Sequence, residues 1–346
     1  MKLNDLTGSE KKLDCIPYFA FRDLAKDPFI ILYTSGTCGQ PKGVVHSNRS
    51  TLASFASLIG NGLGSSPGFS MLAYTIGHAS GSTHVLLALL TGRSFALFRD
   101  PTLDDLLQAV QELRIASLSL VPHHAIAFAN GEHETKYDLT SLKVIVYTGT
   151  KYPRHLIENI KNKFKDIIMV NGYGTTECVG SIGAPQPPLV KPGVFESDSI
   201  GTAYPGSEFK IVHLDSGKAL PPFHEGEICM RGAPCFIAYL NRPEETAEAI
   251  DHDGWYHSGD IGYVDEYGDC FVTDRIKELI KFRHWTIIPA EIELFLHSHK
   301  AVGAVCVIGV PHIIDGSHLR AYVELREYYS NTEAIEQELI NLVARK

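Results

Sequence analysis

Short apolar runs with strand character alternate with segments of helical spacing over much of the first half of the chain. The runs are Phe29–Tyr33, Ser94–Phe98, Ala116–Val121, Val144–Tyr147 and Ile167–Val170. Between them, as from Leu103 to Val110, apolar residues recur at the period of an amphipathic helix. Strands that alternate with helices are typical of parallel βα units. We therefore expect an α/β fold with a parallel sheet at its core.

The pattern changes after about residue 180. Proline and glycine cluster over residues 184–206, and short alternating runs follow at Glu208–Leu214, Gly226–Arg231, Gly262–Asp265 and Asp269–Thr273. These runs predict a small antiparallel sheet or a β-barrel-like region. One helix should interrupt them, capped by Asn241 and with Pro243 in its first turn.

A third pattern begins at residue 274. It predicts a helix over Pro289–His297, strands over Ala304–Val310 and Leu319–Leu325, and a last helix. Ser330 and Glu333 would form the capping box of that last helix. Helices and strands in this order predict a small α+β unit.

Charge and cysteine content exclude several classes of protein. The chain has 31 Lys and Arg against 40 Asp and Glu, a net charge of −9, whereas nucleic-acid and anionic-membrane binders need basic patches. Its seven Cys include no C-x-x-C pair, so we expect reduced thiols and no disulfide framework. The first residues lack the apolar core of a signal peptide, and no apolar run is long enough for a transmembrane segment. We expect no nucleic-acid partner and a cytoplasmic or peroxisomal location.

The first stretch with chemical character is Tyr33–Val44, which reads YTSGTCGQPKGV. It follows a predicted strand and should precede a helix. Its three glycines let backbone N–H groups approach phosphate oxygens, its three hydroxyls add donors, and Lys42 adds a mobile positive charge. The spacing is not that of the common P-loop. A polyphosphate site is favoured over the alternative, a flexible surface turn.

The second stretch is Asn171–Glu177, NGYGTTE, directly after a predicted strand. Tyr173 beside glycines can stack on a base. Thr176 and Glu177 offer a hydroxyl and a carboxylate that suit a phosphate oxygen and a Mg²⁺ ion. The alternative is a glycine-rich turn with an exposed acid.

The third stretch runs from Trp255 to Asp260 and continues at residues 273–281. Asp260 could accept hydrogen bonds from paired ribose hydroxyls, as acidic residues do in nucleotide sites. Asp274 and Arg275 fall between the second and third regions, where a hinge would lie. Taken alone, the charged run over 274–281 is more often a solvated face.

In this order the three stretches resemble the adenylate-forming superfamily of acyl-CoA synthetases, 4-coumarate–CoA ligases and firefly luciferase-like enzymes. The resemblance covers nearly all of the chain after about Asp23. It implies that a carboxylic acid reacts with ATP and Mg²⁺ to give an acyl-adenylate, from which coenzyme A takes the acyl group as a thioester. Two alternatives remain open: a luciferin-type oxygenase of the same family, and a truncated fragment that binds nucleotide without turnover.

The resemblance also implies roles for single residues. The phosphate loop would contain Thr34, Ser35, Gly36, Thr37, Gly39 and Lys42. The adenine side of the site would contain Gly149, Gly172, Tyr173 and Gly174. Thr176 would meet the α-phosphate and Glu177 the Mg²⁺ ion.

Further roles follow for the third stretch. The resemblance implies that Asp260 and Arg275 hold the ribose, and that Asp274 is the hinge about which the C-terminal part rotates between the two half-reactions. It implies that Lys277 belongs to the cofactor site and that Lys281 is catalytic.

His78, in the run His-Ala-Ser-Gly, matches a family position at the acyl pocket, with a structural helix histidine as the alternative. The chain departs from the family pattern at three places. Cys38 replaces a hydroxyl residue of the phosphate loop, Thr148–Lys151 replaces a more apolar run, and Arg283–Trp285 stands where a glycine is usual.

The resemblance finally implies a division of the chain. Residues 1–180 would be a partial AMP-binding α/β core, 181–273 its small β-rich subdomain, and 274–346 an incomplete hinged C-terminal domain. Family members carry roughly another domain's length before the phosphate loop and a late C-terminal lysine. We therefore expect a chain truncated at both ends.

Overall fold

The computed structural model describes residues 23–34, 40–60, 70–72, 76–131, 133–148, 152, 154–164, 166–179, 182–183, 199–283, 285–326, 329 and 332–343. Within these residues the α-helices are α1 (Asn48–Gly60), α2 (Ala79–Thr91), α3 (Leu103–Leu113), α4 (Pro122–Asn130), α5 (Arg154–Lys163), α6 (Pro243–Ala249), α7 (Pro289–His297) and α8 (Thr332–Val343). The strands are β1 (Pro28–Tyr33), β2 (Gly43–Ser47), β3 (Ser70–Leu72), β4 (Phe95–Leu97), β5 (Ser117–Leu120), β6 (Val144–Thr148), β7 (Ile168–Gly172), β8 (Ile182–Gly183), β9 (Thr202–Ala203), β10 (Ser207–Val212), β11 (Gly226–Gly232), β12 (Ala238–Tyr239), β13 (Tyr256–Val264), β14 (Cys270–Arg275), β15 (Ile280–Phe282), β16 (Trp285–Ile287), β17 (Val302–His312) and β18 (Gly316–Leu325). Short 3₁₀-helices lie at His133–Thr135 and Ile276–Glu278.

A five-stranded sheet in the order β4–β3–β5–β6–β7 forms the centre of the first half of the chain, and its neighbours are all parallel. Parallel neighbours need crossover connections, and α2, α3, α4 and α5 follow β3, β4, β5 and β6 in turn. Leu106, Leu118, Phe128 and Ile145 are fully buried in the core between these helices and the sheet. The predicted α/β core is confirmed. Because the carboxyl ends of parallel strands lie at the same edge of a sheet, the segments that follow β6 and β7 both begin at this edge.

The first apolar run does not belong to this sheet. β1 pairs antiparallel with β2, and β12 pairs antiparallel with the other edge of β2. The phosphate-loop stretch therefore connects two antiparallel strands, and the expectation of a direct strand-to-helix connection is wrong. The Thr34 N–H donates to the Lys42 carbonyl over 3.0 Å and closes the base of this connection. An apolar run of this length predicts a strand but not its direction of pairing.

The β-rich region contains a four-stranded antiparallel sheet in the order β10–β11–β13–β14. Of the two predicted arrangements, a sheet or a barrel-like region, the described residues form the sheet. Ile211, Ile228, Met230 and Cys270 are buried on its core face. β13 and β14 are joined by a tight turn over Asp265–Asp269, in which the Asp265 N–H donates to the Asp269 carbonyl over 3.0 Å.

The helix expected between these strands is present as α6, but its cap differs from the prediction. Arg242 is the N-cap and offers no side-chain capping bond, whereas Asn241 has φ of 55° and lies in the preceding turn. The Arg242 N–H donates to the Tyr239 carbonyl over 3.2 Å, so the chain turns before the helix begins. Asn tolerates this left-handed conformation better than most residues. No helix of the described residues has the combined length and apolar character that a membrane crossing requires.

The last part of the chain forms a sheet in the order β16–β15–β18–β17, against which α7 and α8 pack. Helix α7 has the predicted bounds. Ala301, Val302, Leu296 and Leu339 are buried between helices and sheet. Ser330, predicted as a cap of the last helix, lies outside the described residues.

Two of the cysteines are bonded to each other. Cys178 and Cys235 form a disulfide with a Cα–Cα distance of 4.3 Å, whereas Cys229, Cys270 and Cys306 are free thiols. The expectation of reduced thiols is therefore wrong for this pair. The two cysteines are 57 residues apart and meet across an antiparallel bridge, which no local spacing could indicate.

Candidate functional site

Three residues assigned from the sequence to the nucleoside meet at the carboxyl end of β7. The Tyr173 hydroxyl donates to Asp260 Oδ2 over 2.7 Å, and Arg275 Nε lies 3.0 Å from Asp260 Oδ1. Tyr173 directly follows β7, while Asp260 and Arg275 are cross-strand partners in β13 and β14. The sheet topology thus joins two segments that are 87 residues apart.

Burial determines the electrostatics of this group. The Asp260 side chain is 4% exposed, whereas that of Arg275 is 52% exposed. Burial raises the pKa of Asp260 above its ordinary value, while the Tyr173 hydroxyl and the Arg275 guanidinium act to lower it. Burial and the neighbouring carboxylate raise the pKa of Tyr173 well above its usual range, so the phenol stays protonated and donates. The arrangement is a buried acid held by two donors, one of which reaches solvent.

The Thr176–Glu177 segment follows on the same side of the sheet and is held by a histidine that sequence reasoning missed. His46 Nε2 lies 2.8 Å from the Thr176 carbonyl oxygen, and its Nδ1 lies 3.5 Å from Ser50 Oγ. A carbonyl only accepts, so Nε2 carries the proton. Burial lowers the pKa of His46, which favours the neutral ring. His46 lies in β2, 130 residues from Thr176.

Glu177 and Lys42 share an aromatic neighbour, Tyr239, which sequence reasoning also missed. The Tyr239 hydroxyl donates to Glu177 Oε1 over 2.8 Å. Lys42 Nζ lies 4.3 Å from the centroid of the Tyr239 ring, within the range of a cation–π contact. The Phe236 N–H donates to the Glu177 carbonyl over 2.7 Å. A glutamate and a lysine from two separate stretches therefore contact the same side chain of β12.

The other assigned residues lie in different settings. Asp274 is buried beside Arg275 at the end of β14, and its Oδ1 accepts the Arg275 N–H over 2.7 Å. Lys277 and Lys281 are exposed, in the second 3₁₀-helix and in β15. Gly172 ends β7, and Gly174 is exposed immediately after Tyr173. Ser35, Gly36, Thr37, Gly39 and Gly149 lie outside the described residues, as do Cys38 and His284.

His78 is the N-cap of α2. Its ring accepts a hydrogen bond from the Ser80 N–H, and Nδ1 lies 2.7 Å from Ser80 Oγ. These contacts fit the structural alternative raised for this residue. The ring is also exposed, so a contact with a small molecule is sterically open to it.

An apolar cleft lies beside His46. Its walls come from β1, β2, α1 and α2, and Val179 also lines it. The apolar side chains that line it are Ile30, Leu32, Phe55, Leu86 and Val179. The other lining residues are polar, namely His46, Thr51, Ser54, Ser82 and Thr83, and the cleft has room for about one water molecule.

A family model described as AMP-binding enzyme matches residues 8–240, and one described as AMP-binding enzyme C-terminal domain matches residues 291–346. The chain belongs to the AMP-binding enzyme family. Among curated AMP-binding enzymes it is similar to 4-coumarate–CoA ligase 5 of Oryza sativa subsp. japonica. The two are 31% identical over 313 residues, which is 88% of this chain and 58% of the rice protein.

Solved structures of related enzymes have the same fold. An ATP-bound RpMatB-BxBclM chimera matches with a TM-score of 0.83 and 25% identity, over 93% of this chain and 62% of the chimera. The o-succinylbenzoate coenzyme A synthetase of Bacillus subtilis, solved with ATP and a magnesium ion, matches with a TM-score of 0.75 and 28% identity over 88% of this chain. The chain spans 62% of the length of that synthetase.

Proposed function

We propose that this AMP-binding enzyme activates a carboxylic acid with ATP and transfers the acyl group to the thiol of coenzyme A. The observation that carries the proposal is the buried Asp260, held between Tyr173 and Arg275 at the carboxyl end of a parallel strand. Ligands of open α/β sheets bind at this edge. The similarity to a 4-coumarate–CoA ligase and to a coenzyme A synthetase supports the same reaction class.

The nucleoside half of the site would work through these three side chains. The Asp260 carboxylate accepts hydrogen bonds from the ribose hydroxyls, and Arg275 takes part from the exposed side. The Tyr173 hydroxyl is fixed on Asp260, which orients its ring for stacking on adenine. Gly174 beside it leaves room for the close approach of a base.

The phosphate half would use Lys42, Thr176 and Glu177. Glu177 Oε1 accepts from Tyr239, and its second carboxylate oxygen makes no hydrogen bond with a described residue. A carboxylate oxygen in this state fits a Mg²⁺ ion, which prefers oxygen ligands from one or two acids together with phosphates. When bound, the ion would neutralise charge on the phosphates. Lys42 adds a point charge for the β- and γ-phosphates.

The proposed reaction has two steps. A carboxylate oxygen of the acid attacks the α-phosphorus, the bond to the β-phosphate oxygen breaks, and pyrophosphate leaves. The thiolate sulfur of coenzyme A then attacks the acyl carbon, and AMP leaves with the bonding electrons. In this proposal Asp274 is the hinge between the steps, with His78 beside the acid and Lys277 and Lys281 on the mobile side.

The acid is proposed to be an aromatic or fatty acid. Its carboxylate would face the Thr176 segment. The name of the rice relative, a 4-coumarate–CoA ligase, favours a substituted cinnamic acid within this class.

ATP–pyrophosphate exchange tests the first step, with hydroxycinnamic and fatty acids as a panel. Asp260→Ala should abolish exchange, whereas Asp253→Ala, an exposed acid of the same region, should not change it. Lys42→Ala should slow exchange but leave thioester formation from supplied acyl-AMP nearly intact, because the β- and γ-phosphates are present only in the first step. An Asp260→Ala variant that binds AMP as well as the natural chain would refute the proposed site.

A further inference from the structure

A β-bulge interrupts the pairing of β11 and β13 directly before Asp260. Glu227 pairs with Ile261 and Cys229 pairs with His257. Between these pairs β11 has one residue, Ile228, whereas β13 has three, at positions 258–260. Asp260 is the last of the three, so its direction depends on the shape of the bulge. Gly259, the middle residue, has φ of +72°, a conformation that few other residues adopt.

The Glu227 carboxylate contacts the bulge at two points. Glu227 Oε1 accepts the Gly259 N–H over 3.0 Å, and Glu227 Oε2 lies 2.7 Å from His257 Nδ1. The Glu227 side chain is 13% exposed, so water competes little for its oxygens. His257 Nε2 faces Asp251 Oδ2 at 3.7 Å, which keeps the ring in this orientation.

The contacts continue from the bulge to Asp260. The Asp260 N–H donates to Ser258 Oγ over 3.0 Å, and Ser258 Oγ donates to the Ile228 carbonyl over 2.6 Å. Ser258 and Gly259 are therefore each bonded to β11, and Asp260 is held through Ser258. Without Glu227, the Gly259 N–H would lose its partner, and glycine in an open segment has many alternative conformations.

We infer that Glu227 is a positioning residue, whose carboxylate holds the bulge so that Asp260 faces Tyr173 and Arg275. The inference rests on the proposed role of Asp260 at the ribose. Glu227 does not contact Tyr173, Asp260 or Arg275 through its side chain, and it acts through the backbone between His257 and Asp260.

The same three side chains could be taken for a metal site. The ligand atoms of Glu227, Cys229 and His257 lie within 4.8 Å of one another. Both Glu227 oxygens, however, already face N–H donors. The hydrogen bonds account for the arrangement of the cluster without an ion, and they connect it with the candidate nucleotide site.

The test compares the affinity of the whole chain for AMP and for 2′,3′-dideoxy-AMP, measured by calorimetry. The natural chain should bind AMP roughly 10- to 100-fold more tightly, because this is the affinity ratio that corresponds to one hydrogen bond to a charged group. Asp260→Asn should remove most of this preference. Glu227→Ala should remove it as well, and the double variant should be no worse than Asp260→Asn alone, because both changes act on one group.

Two further variants separate positioning from general stability. Glu227→Gln keeps an oxygen for the Gly259 N–H and should retain most of the preference. Glu208→Ala removes an exposed glutamate of the neighbouring strand β10, which pairs with Arg231, and should leave the preference unchanged. Should Glu227→Ala not fold, Glu227→Asp keeps the charge but cannot reach both donors, and the preference should fall several-fold.

The outcomes distinguish the inference from the proposed function. If Asp260→Asn keeps the preference for AMP over 2′,3′-dideoxy-AMP, Asp260 does not contact the ribose, and the proposed function is contradicted. The other informative outcome is that Asp260→Asn loses the preference for AMP, whereas Glu227→Ala keeps it in full. That outcome would overturn the role of Glu227 alone, and Glu227→Asp replaces Glu227→Ala in this comparison if the alanine variant does not fold.

Discussion

The Tyr239 hydroxyl donates a hydrogen bond to Glu177 Oε1 over 2.8 Å, while Lys42 Nζ lies 4.3 Å from the centroid of the Tyr239 ring. Burial, followed by the Glu177 carboxylate, raises the pKa of Tyr239 far above its ordinary value, so the phenol remains a donor. The Tyr239 side chain thus contacts both Glu177, the proposed Mg²⁺ ligand, and Lys42, the proposed phosphate-binding lysine.

Tyr239→Phe should weaken Mg²⁺-dependent ATP binding and lower the free energy of unfolding. The ring under Lys42 remains, but the buried Glu177 carboxylate loses a donor worth about 1.5–3 kcal/mol. Calorimetric titration of ATP with and without Mg²⁺, together with urea unfolding, measures both effects. Tyr267→Phe is the matched control, because Tyr267 is 70% exposed. Equal behaviour of the two variants would show that the hydrogen bond is dispensable.

Gly174→Ala should leave stability nearly unchanged and weaken AMP binding. A Cβ added at Gly174 meets no atom within 4 Å in the protein alone, so the folded state has room for it. The proposed adenine position adjoins this residue, and a methyl group there would obstruct the base. Thermal unfolding with and without AMP separates the two quantities. Gly60→Ala is the control: it is equally unobstructed but lies at the end of α1, so it should change neither the affinity for AMP nor the stabilisation by AMP. A Gly174→Ala variant that binds AMP normally would show that adenine lies elsewhere.

His46→Gln should reduce the loss of stability on mild acidification. Burial lowers the pKa of His46 below 6.5, so below that pH the unfolded chain binds more protons than the folded chain. Stability therefore falls as the pH decreases from about 7.5 to about 5.5. The variant lacks this titration, although His84 and His124, whose pKa values burial also lowers, keep part of the dependence. Urea unfolding at the two pH values checks this, with His224→Gln as an exposed control; an undiminished difference in the His46 variant would contradict the prediction.

Reduction of the Cys178–Cys235 disulfide should lower the free energy of unfolding by about 2–4 kcal/mol, because it releases a loop closed over 57 residues in the unfolded chain. Cys235→Ser should reproduce the effect without a reductant. Cys306→Ser, at an exposed free thiol, should not. Denaturation curves of the oxidised and reduced chains that superimpose would rule out a contribution from the cross-link.

Much of the fold and part of the candidate site could be predicted from local sequence. The bounds of α7 and the order of strands and helices from β3 to β7 follow from apolar periodicity and from turn residues. Tyr173, Asp260 and Arg275 each belong to a short stretch with its own chemical character, and the structure brings the three together. Their roles at a nucleotide stay predictions.

The remainder depends on contacts between distant segments. His46 and Tyr239 lie in strands that carry no catalytic pattern, and they meet the Thr176–Glu177 segment across 130 and 62 residues. The antiparallel pairing of β1 with β2 was missed because an apolar run does not specify the direction of its neighbour. Residues such as Glu227 are found only when the register of two strands is known.

The turn over Asp265–Asp269 restricts which insertions and deletions the chain can accept. Together with the β-bulge between the pairs Ile261–Asp274 and Gly262–Val272, it sets which residue of β14 lies opposite Asp260. Side chains alternate between the two faces of a strand, so a turn shorter or longer by one residue would move Arg275 to the face opposite Asp260. While the bulge stays in place, the number of residues in this turn therefore has to stay the same for the Asp260 carboxylate and the Arg275 guanidinium to meet.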